Sequence, residues 1–467
     1  MKVHMIGVGG IGMSGLARVL LEQGVSVSGS DCVDGPSLRK IRSAGARVRA
    51  AHAAANVDHP DVVVYSSAIT PENPELIAAR NRGIPVLHRG QLLAELAAGR
   101  RTVAVAGAHG KSTTSAMAAE LLVRAGLDPM LVLGAEVESL GGSARMGRGG
   151  YAVVEADESD GSFLWLNPFI GLITNVDDEH LDYFRNRAEI EETYALFAGR
   201  VRPDGTLIGC ADDPSVRDLL ARSARSKISY GLSPKARVRA VEIRLEETGS
   251  RYRCLHGTRT LGTVHLNVPG LHNVANSLGV IAVSETLGLE FRLVQGVLEE
   301  YRGAKRRFQI HGEERGVLVV EDYGHHPTEI RATIEAARGR SGRRVRCLFQ
   351  PHRYSRTRYL MDRFAAAFAG AEEVILLPIY AASEEPMEGD ANEILYGKFR
   401  AAGRKVKRCE GPRRALEYLE RSSKPGDMVI FLGAGSVGQL AGKFLQKLKG
   451  SGHRGLTLRG QTPAGFE

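Results

Sequence analysis

The segment Gly107-Ala108-His109-Gly110-Lys111-Ser112-Thr113 sets a lysine and two hydroxyls behind a glycine-bearing loop. Before it runs the apolar stretch Val103–Ala106, and after it Met117, Leu121 and Leu122 recur on one helical face. Strand, loop, Lys-Ser and helix are the parts of a phosphate-binding loop. Backbone N–H groups cradle phosphate, the Lys charge meets the β- and γ-phosphates, and the Ser hydroxyl ligates magnesium. The strict pattern places a glycine where this chain has Val105, so on the pattern alone a chance match stays open. Glu155-Ala156-Asp157-Glu158-Ser159-Asp160 begins where another apolar run ends. A carboxylate at that end of a strand, beside a phosphate loop, suits magnesium, which takes carboxylate oxygens and water. A solvated acidic loop is the competing reading. Asn175-Val176-Asp177-Asp178-Glu179-His180 also follows an apolar run, and His180 is weighed there as a ligand against a structural hydrogen-bonder.

Two later segments, Asp322-Tyr323-Gly324-His325-His326-Pro327 and Gln350-Pro351-His352-Arg353-Tyr354-Ser355-Arg356, follow apolar runs in the same way. Histidine and paired arginine at adjacent strand ends make an anion clamp in the crevice where open α/β sheets bind ligands, or else an Arg-rich surface loop. Gly7-Val8-Gly9-Gly10-Ile11-Gly12 follows Lys2–Ile6 and precedes Asp31. Alone it is the dinucleotide fingerprint, with a diphosphate at a helix N-terminus and an acid on the ribose. A tight turn with no nicotinamide cofactor fits it equally. Gly433–Gly438 repeats the pattern without a later acid, and there a structural turn is the better reading.

These loops need elements to hold them. Short apolar runs alternate with helical periodicity along the chain, which argues for an α/β fold of parallel sheets covered by helices. Val25–Val27, Val62–Tyr65 and Pro85–Leu87 continue a first unit; Thr102–Ala106, Ala152–Glu155 and Gly171–Thr174 belong to a second. From about Lys227 to Val268 the alternation looks antiparallel. Val317–Glu321, Val345–Phe349, Val374–Leu377 and Met428–Leu432 form a third unit. The expected domains are 1–99, 100–314 and 315–449, with a disordered tail at 450–467. The length of 467 residues suits three domains. A net charge of +9 fits an anionic small molecule as well as nucleic acid. Five separated cysteines without metal-like spacing suggest reduced thiols in a cytosol. No leader and no apolar run long enough to span a membrane is read, so a soluble cytoplasmic protein is expected.

In order along nearly the whole chain, the segments GGIGMSG, GAHGKST, EADESDGSF, NVDDEHLDYF, GLHNVANS, GAKRRFQ, DYGHHPTEI and QPHRYSRT resemble the Mur ligase family, and its alanine-adding branch in particular. The family's shortened phosphate loop accounts for Val105. The resemblance implies an N-terminal Rossmann-like domain for a uridine nucleotide, a central phosphate-loop ATPase domain, and a C-terminal Rossmann-like α/β domain. It implies ATP and Mg2+ as cofactors, with UDP-N-acetylmuramate and L-alanine as partners, and neither nucleic acid nor membrane insertion. ATP would phosphorylate the lactyl carboxylate of the muramate, and the alanine amine would attack the acyl phosphate, releasing ADP and phosphate in a cytoplasmic step of peptidoglycan synthesis.

By matching positions, the resemblance assigns Gly9, Gly10, Ile11, Gly12, Asp31, Ser66, Ser67 and Arg89 to the uridine nucleotide. Gly107, Ala108, His109, Gly110, Lys111, Ser112 and Thr113 would hold ATP, with Lys111 on the transferred phosphoryl. Ser112 and Glu155 would hold one magnesium, and His180 a second. His272, Asn273 and Asn276 match adenine-side contacts, and Asp322 a nucleotide-side acid. Arg307 matches an arginine brought to the phosphates, and His325, Arg353 and Arg356 a grip on the amino-acid carboxylate. No general base is assigned. Ala108, Ser112 and Gly324 depart from the family's usual Thr, Thr and Ala. No lysine lies between His180 and Lys227, which fits the alanine-adding branch rather than sisters with a carbamylated lysine. The competing functions are a peptide-recycling ligase, a dehydrogenase and a non-catalytic nucleotide-binding regulator.

Overall fold

The computed structural model describes residues 1–451 apart from 182, 247–248, 340–341, 383 and 386–388. It forms two compact units, Met1–Lys305 and one beginning at Arg306. The first unit holds two sheets. Five parallel strands, β1 (Lys2–Ile6), β2 (Ser26–Ser30), β3 (Arg47–Arg49), β4 (Val62–Tyr65) and β5 (Val86–His88), stand in the order β3-β2-β1-β4-β5. The chain reverses direction across the sheet at β1, so the crevice beyond β1 and β4 opens over the first glycine turn. The helix Ile11–Glu22 buries Met13, Leu16 and Leu20 and ends just before Gly24, whose φ of 78° closes the turn into β2.

The second sheet comprises β6 (Arg101–Ala106), β7 (Met130–Val137), β8 (Gly142–Arg145), β9 (Tyr151–Glu155), β10 (Ile170–Ile173), β11 (Thr206–Cys210), β12 (Ser226–Gly231), β13 (Val238–Glu246), β14 (Gly249–His256) and β15 (Arg259–Leu266). Their order is β15-β14-β13-β12-β11-β10-β6-β9-β7-β8. The central strands β6, β9 and β10 run parallel side by side. Their residues are buried almost without a break, as expected of strands covered on both faces. This brings the ends of three strands together: the lysine loop after β6, Glu155 ending β9, and Asn175 just beyond β10. The helix Leu271–Thr286, mostly buried, packs on the helix Lys111–Arg124 behind the loop. The antiparallel expectation for 227–268 holds for β13–β15 only, because β12 lies parallel to both its neighbours.

In the second unit, β16 (Gln309–Glu314), β17 (Val317–Asp322), β18 (Arg344–Phe349), β19 (Glu373–Leu376), β20 (Val406–Arg408) and β21 (Asp427–Leu432) take the order β16-β17-β21-β18-β19-β20. All are parallel except β16, an antiparallel edge strand. The boundary expected between 314 and 315 falls beside a hairpin turn of this unit. Arg315 and Gly316, at φ 56° and 72°, are the tight turn of the β16–β17 hairpin, within the compact unit that begins at Arg306. Of the expected tail, Gly450 and Ser451 close the helix Gln439–Ser451, and residues 452–467 lie outside the described residues.

Candidate active site

The loop after β6 turns on two glycines whose places no other residue could take. Gly107 has φ 134°, and a Cβ there would stand 1.9 Å from Thr174 Oγ1; Gly110 has φ 84°, and a Cβ would stand 2.6 Å from Asn276 Oδ1. Only glycine satisfies both the backbone angle and the crowding. Asn175, which the sequence reading did not single out, fastens the loop: its Oδ1 accepts His109 N–H at 2.9 Å and its Nδ2 donates to His109 O at 2.9 Å. His109 Nε2 lies 3.0 Å from Asp177 Oδ2.

Lys111 opens the following helix. Its Nζ donates to Gly107 O at 2.6 Å, Ala108 O at 3.3 Å and Glu158 Oε1 at 2.7 Å. Burial alone would lower the lysine's pKa, yet Glu158, Asp157 and Glu155 raise it, so the ammonium stays charged. Glu158 also lies 3.5 Å from His180 Nε2. His180 holds a left-handed φ of 55°, and although burial works against its charged form, Glu158 and Glu179 raise its pKa. Ser112 and Thr113 are buried in the first turn of the helix. Glu155 is aimed by Gly134 of β7, whose N–H donates to Glu155 Oε2 at 3.0 Å; a Cβ on Gly134 would meet both carboxylate oxygens at 2.3 Å. The expected ATP and metal residues of the first unit therefore lie at three neighbouring strand ends. Asn273 and Asn276 belong to this group too. Both are buried at the start of the helix Leu271–Thr286, linked by a 3.2 Å hydrogen bond, with Asn276 against Gly110; His272 beside them is exposed.

A carboxylate–imidazole–hydroxyl donor set of this kind suits a hard divalent cation. Glu158 Oε2 is buried without a hydrogen-bond partner among the described residues, and a cation held there would satisfy it.

The uridine candidates form a second cluster in the same unit. Asp31 Oδ2 accepts Gly9 N–H at 2.8 Å and Oδ1 accepts Val33 N–H at 3.2 Å, so this acid shapes the glycine turn. Gly10 caps the helix Ile11–Glu22, Ile11 is exposed at its start, and Gly12 faces Arg89. Ser66 Oγ accepts the Ala68 amide at 3.3 Å. Arg89 is committed to the central sheet's acids. Its Nη2 donates to Asp157 at 2.7 Å and Asp160 at 2.9 Å, and its Nε donates to Ser67 Oγ at 3.1 Å. Ser67 in turn donates to Asp160 and lies 3.0 Å from His88 Nε2. Burial would raise the Asp157 carboxyl, but Arg89, Lys111 and His180 hold it well below the usual carboxylate range. Asp157 thus stands between the two clusters. Behind it, Trp165 packs 5.0 Å from the His88 ring and over Gly90, where a Cβ would be 2.7 Å from the indole.

The second unit carries the remaining candidates. Asp322, at the end of β17, is buried and accepts Phe308 N–H at 2.8 Å, Gly324 N–H at 2.7 Å and Thr333 Oγ at 3.2 Å. Burial pushes its carboxyl up. Arg307 lies over the Tyr323 ring at 5.1 Å and 3.5 Å from Glu329. His325 N–H donates to Glu329 at 3.2 Å, and its ring lies 6.0 Å from that of His352. Arg356 Nη1 is 3.0 Å from His352 Nδ1. Arg353, at φ 67°, starts the helix Tyr354–Tyr359, its N–H donating to Tyr380 O at 2.8 Å. His325, Arg353 and Arg356 are therefore brought to neighbouring strand ends of one sheet, with His352 between two of them. The Gly433–Gly438 turn is structural: Arg306 donates to the carbonyls of Gly433 and Gly435 at 3.1 Å each, and a Cβ on Gly438 would meet Glu321 at 1.9 Å. Arg306 escaped the sequence reading because its neighbour Arg307 matched a motif position.

Open α/β sheets carrying a lysine loop, a strand-end carboxylate and a histidine define an enzyme that handles nucleoside triphosphate. Residues 2–101, 105–284 and 306–435 match, in that order, the Mur ligase family catalytic domain, the Mur ligase middle domain and the Mur ligase glutamate ligase domain. The chain belongs to the Mur ligase family. It is 45% identical over 458 residues to the UDP-N-acetylmuramate–L-alanine ligase of Symbiobacterium thermophilum, covering 96% of this chain and 95% of that one. It is 45% identical over 452 residues to the enzyme of the same name from Solibacter usitatus, with 96% of each chain covered. A crystal structure of UDP-N-acetylmuramate-alanine ligase from Thermotoga maritima superposes with a TM-score of 0.83 at 27% identity, over 97% of this chain and all of that one. A murein peptide ligase from Psychrobacter arcticus, at 23% identity and a TM-score of 0.72, shares the fold.

Proposed function

We propose that this chain joins L-alanine to the lactyl carboxylate of UDP-N-acetylmuramate, with ATP converted to ADP and phosphate. The observation that carries the reading is the meeting of Lys111, Glu155, Glu158 and His180 at neighbouring strand ends, in a chain 45% identical over almost its full length to ligases of that name. The Rossmann-like first sheet then serves a uridine diphosphate rather than a nicotinamide. Among the described residues no helix is long and apolar enough to cross a membrane.

The chemistry follows from leaving groups. A carboxylate is a poor electrophile because hydroxide leaves badly, whereas an acyl phosphate releases phosphate readily. The amides at the start of the helix Lys111–Arg124 and the Lys111 charge orient the γ-phosphoryl toward the lactyl carboxylate and offset the charge that spreads over its oxygens during transfer. Ser112, Glu155 and His180 are the residues that would hold Mg2+, which when bound neutralises phosphate oxygens. Arg89 and Ser67 stand on the nucleotide-sugar side. His325, Arg353 and Arg356 bind the carboxylate of alanine and leave its amine free to attack. The test incubates the protein with ATP, Mg2+, UDP-N-acetylmuramate and L-alanine while following ADP and product mass. ADP release that needs both substrates, with a product heavier by one alanine residue, supports the reading. ADP release only with a peptide acceptor moves the chain to a recycling ligase, and no turnover with either refutes ligation.

A further inference from the structure

Within the acidic run 155–160, Glu158 is the carboxylate that bonds the loop lysine directly. Its side chain is 3% exposed, its Oε1 accepts Lys111 Nζ at 2.7 Å and lies 3.5 Å from His180 Nε2. Its Oε2 is buried without a hydrogen-bond partner among the described residues. An ammonium group has three protons. Those of Lys111 go to Glu158 and to the carbonyls of Gly107 and Ala108, so all three are spoken for. A phosphate can gain Lys111 only by displacing one of these acceptors. Glu158 is the one that would be charged and close to the incoming phosphate oxygens, and so it opposes them both as a competitor and by repulsion.

We propose that Glu158 is a positioning residue that makes capture of the phosphates by Lys111 conditional on a divalent cation. This rests on the ATP reading above. Once Lys111 leaves it, Glu158 is a buried carboxylate whose remaining ion-pair partner among the described residues is His180. Such a group is costly to leave uncompensated. A cation arriving with the nucleotide removes that cost, because it supplies the charge the lysine withdrew. Nucleotide without cation leaves the carboxylate stranded, and Lys111 stays on Glu158. Asp157 and Glu155 act on the same lysine at longer range, which strengthens the hold without replacing the direct bond.

The probe is a non-hydrolysable ATP analogue, titrated by calorimetry into the full-length protein in Mg2+ and in EDTA. The parent should bind far more tightly in Mg2+. Glu158→Gln keeps the shape and removes the charge, so its affinity in EDTA should rise by roughly tenfold, the scale of one charge-assisted hydrogen bond. The Mg2+-to-EDTA affinity ratio should fall by a similar factor. Glu158→Asp keeps the charge and should keep the parent's ratio within about threefold. An unchanged ratio in Glu158→Gln, or weaker binding in EDTA, would overturn the proposal. Equal shifts in the Gln and Asp variants would also overturn it, because packing rather than charge would be responsible. A parent protein that binds the analogue in neither buffer would refute the nucleotide reading itself, which separates that failure from the failure of Glu158's role.

Discussion

Gly134→Ala tests whether the aim of Glu155 matters to the cation. Gly134 is a β7 residue with no positive φ to lose, so alanine fits its backbone and by itself tends to stabilise a strand by about 0.5–1 kcal/mol. The obstacle is the new methyl group. It would start 2.3 Å from both Glu155 oxygens, whereas ordinary contact begins near 3.4 Å, so the carboxylate must retreat by about 1 Å. That retreat also breaks the 3.0 Å bond from the Gly134 amide. Ligand distances in metal sites tolerate about 0.2 Å, and disturbing a residue that orients a ligand costs roughly 10- to 100-fold in affinity or activity. ADP release by the variant, measured against Mg2+ concentration at saturating substrates, should show a half-saturating Mg2+ raised by that factor. Its thermal unfolding midpoint should stay within about 3 °C of the parent's. A Mg2+ curve that superposes on the parent's, with full activity, would refute the argument that Glu155 must hold its observed place.

Lys111→Ala should cut ADP release by roughly 10²–10³-fold while calorimetric binding of UDP-N-acetylmuramate stays near the parent's; loss of sugar-nucleotide binding would contradict the separation of the two clusters. Arg356→Ala should raise the KM for L-alanine by roughly 10- to 100-fold, the scale of a hydrogen bond between charged groups, and leave the KM for ATP alone. An ATP defect without an alanine defect would refute that role. Glu75 supplies a pH test. Fully buried, it accepts His4 Nε2 at 3.1 Å, Ser30 Oγ at 2.5 Å and Ala53 N–H at 3.1 Å. Burial works to raise its pKa, but these bonds win and bring it from 4.5 to about 2. A depressed carboxyl contributes stability above its unfolded value, here on the order of 3 kcal/mol, and loses it as pH falls from about 4.5 toward 2. Denaturant unfolding of Glu75→Gln should therefore fall well below the parent at pH 7, with the gap closing through that window; a gap independent of pH would refute the assignment.

The strands were legible because buried parallel strands read as unbroken apolar runs. Val62–Tyr65 matches β4 end for end, and Val317–Glu321 falls one residue short of β17. The hairpin at Arg315-Gly316 was not, because a turn between two strands and a junction between two domains carry the same glycine signal. Among the candidate site residues, those with motif spacing share one place in the fold: the loop 107–113, Glu155 and His180 stand at neighbouring strand ends. Gly134 had no signal, since its importance lies in a contact with Glu155, 21 residues away on another strand. Asp31 and Asp322 carry a second part that the sequence does not show. Their types and positions suggested ligand contacts, and the sequence did not disclose that their carboxylates also hold backbone amides of their own loops.

The chain has a single tryptophan, and it sits where the first sheet's helix Arg89–Ala97 meets the short turn Ser162–Trp165 of the central sheet. Trp165 is 39% exposed, with its ring against His88, the residue adjacent to Arg89. Indole emission shifts in colour and intensity with the water and imidazole around it. The protein therefore carries one native optical reporter at the seam between its two nucleotide clusters, with no second indole to blur the signal. Selective excitation of that ring gives a label-free titration in which sugar-nucleotide and ATP can be added separately and in either order.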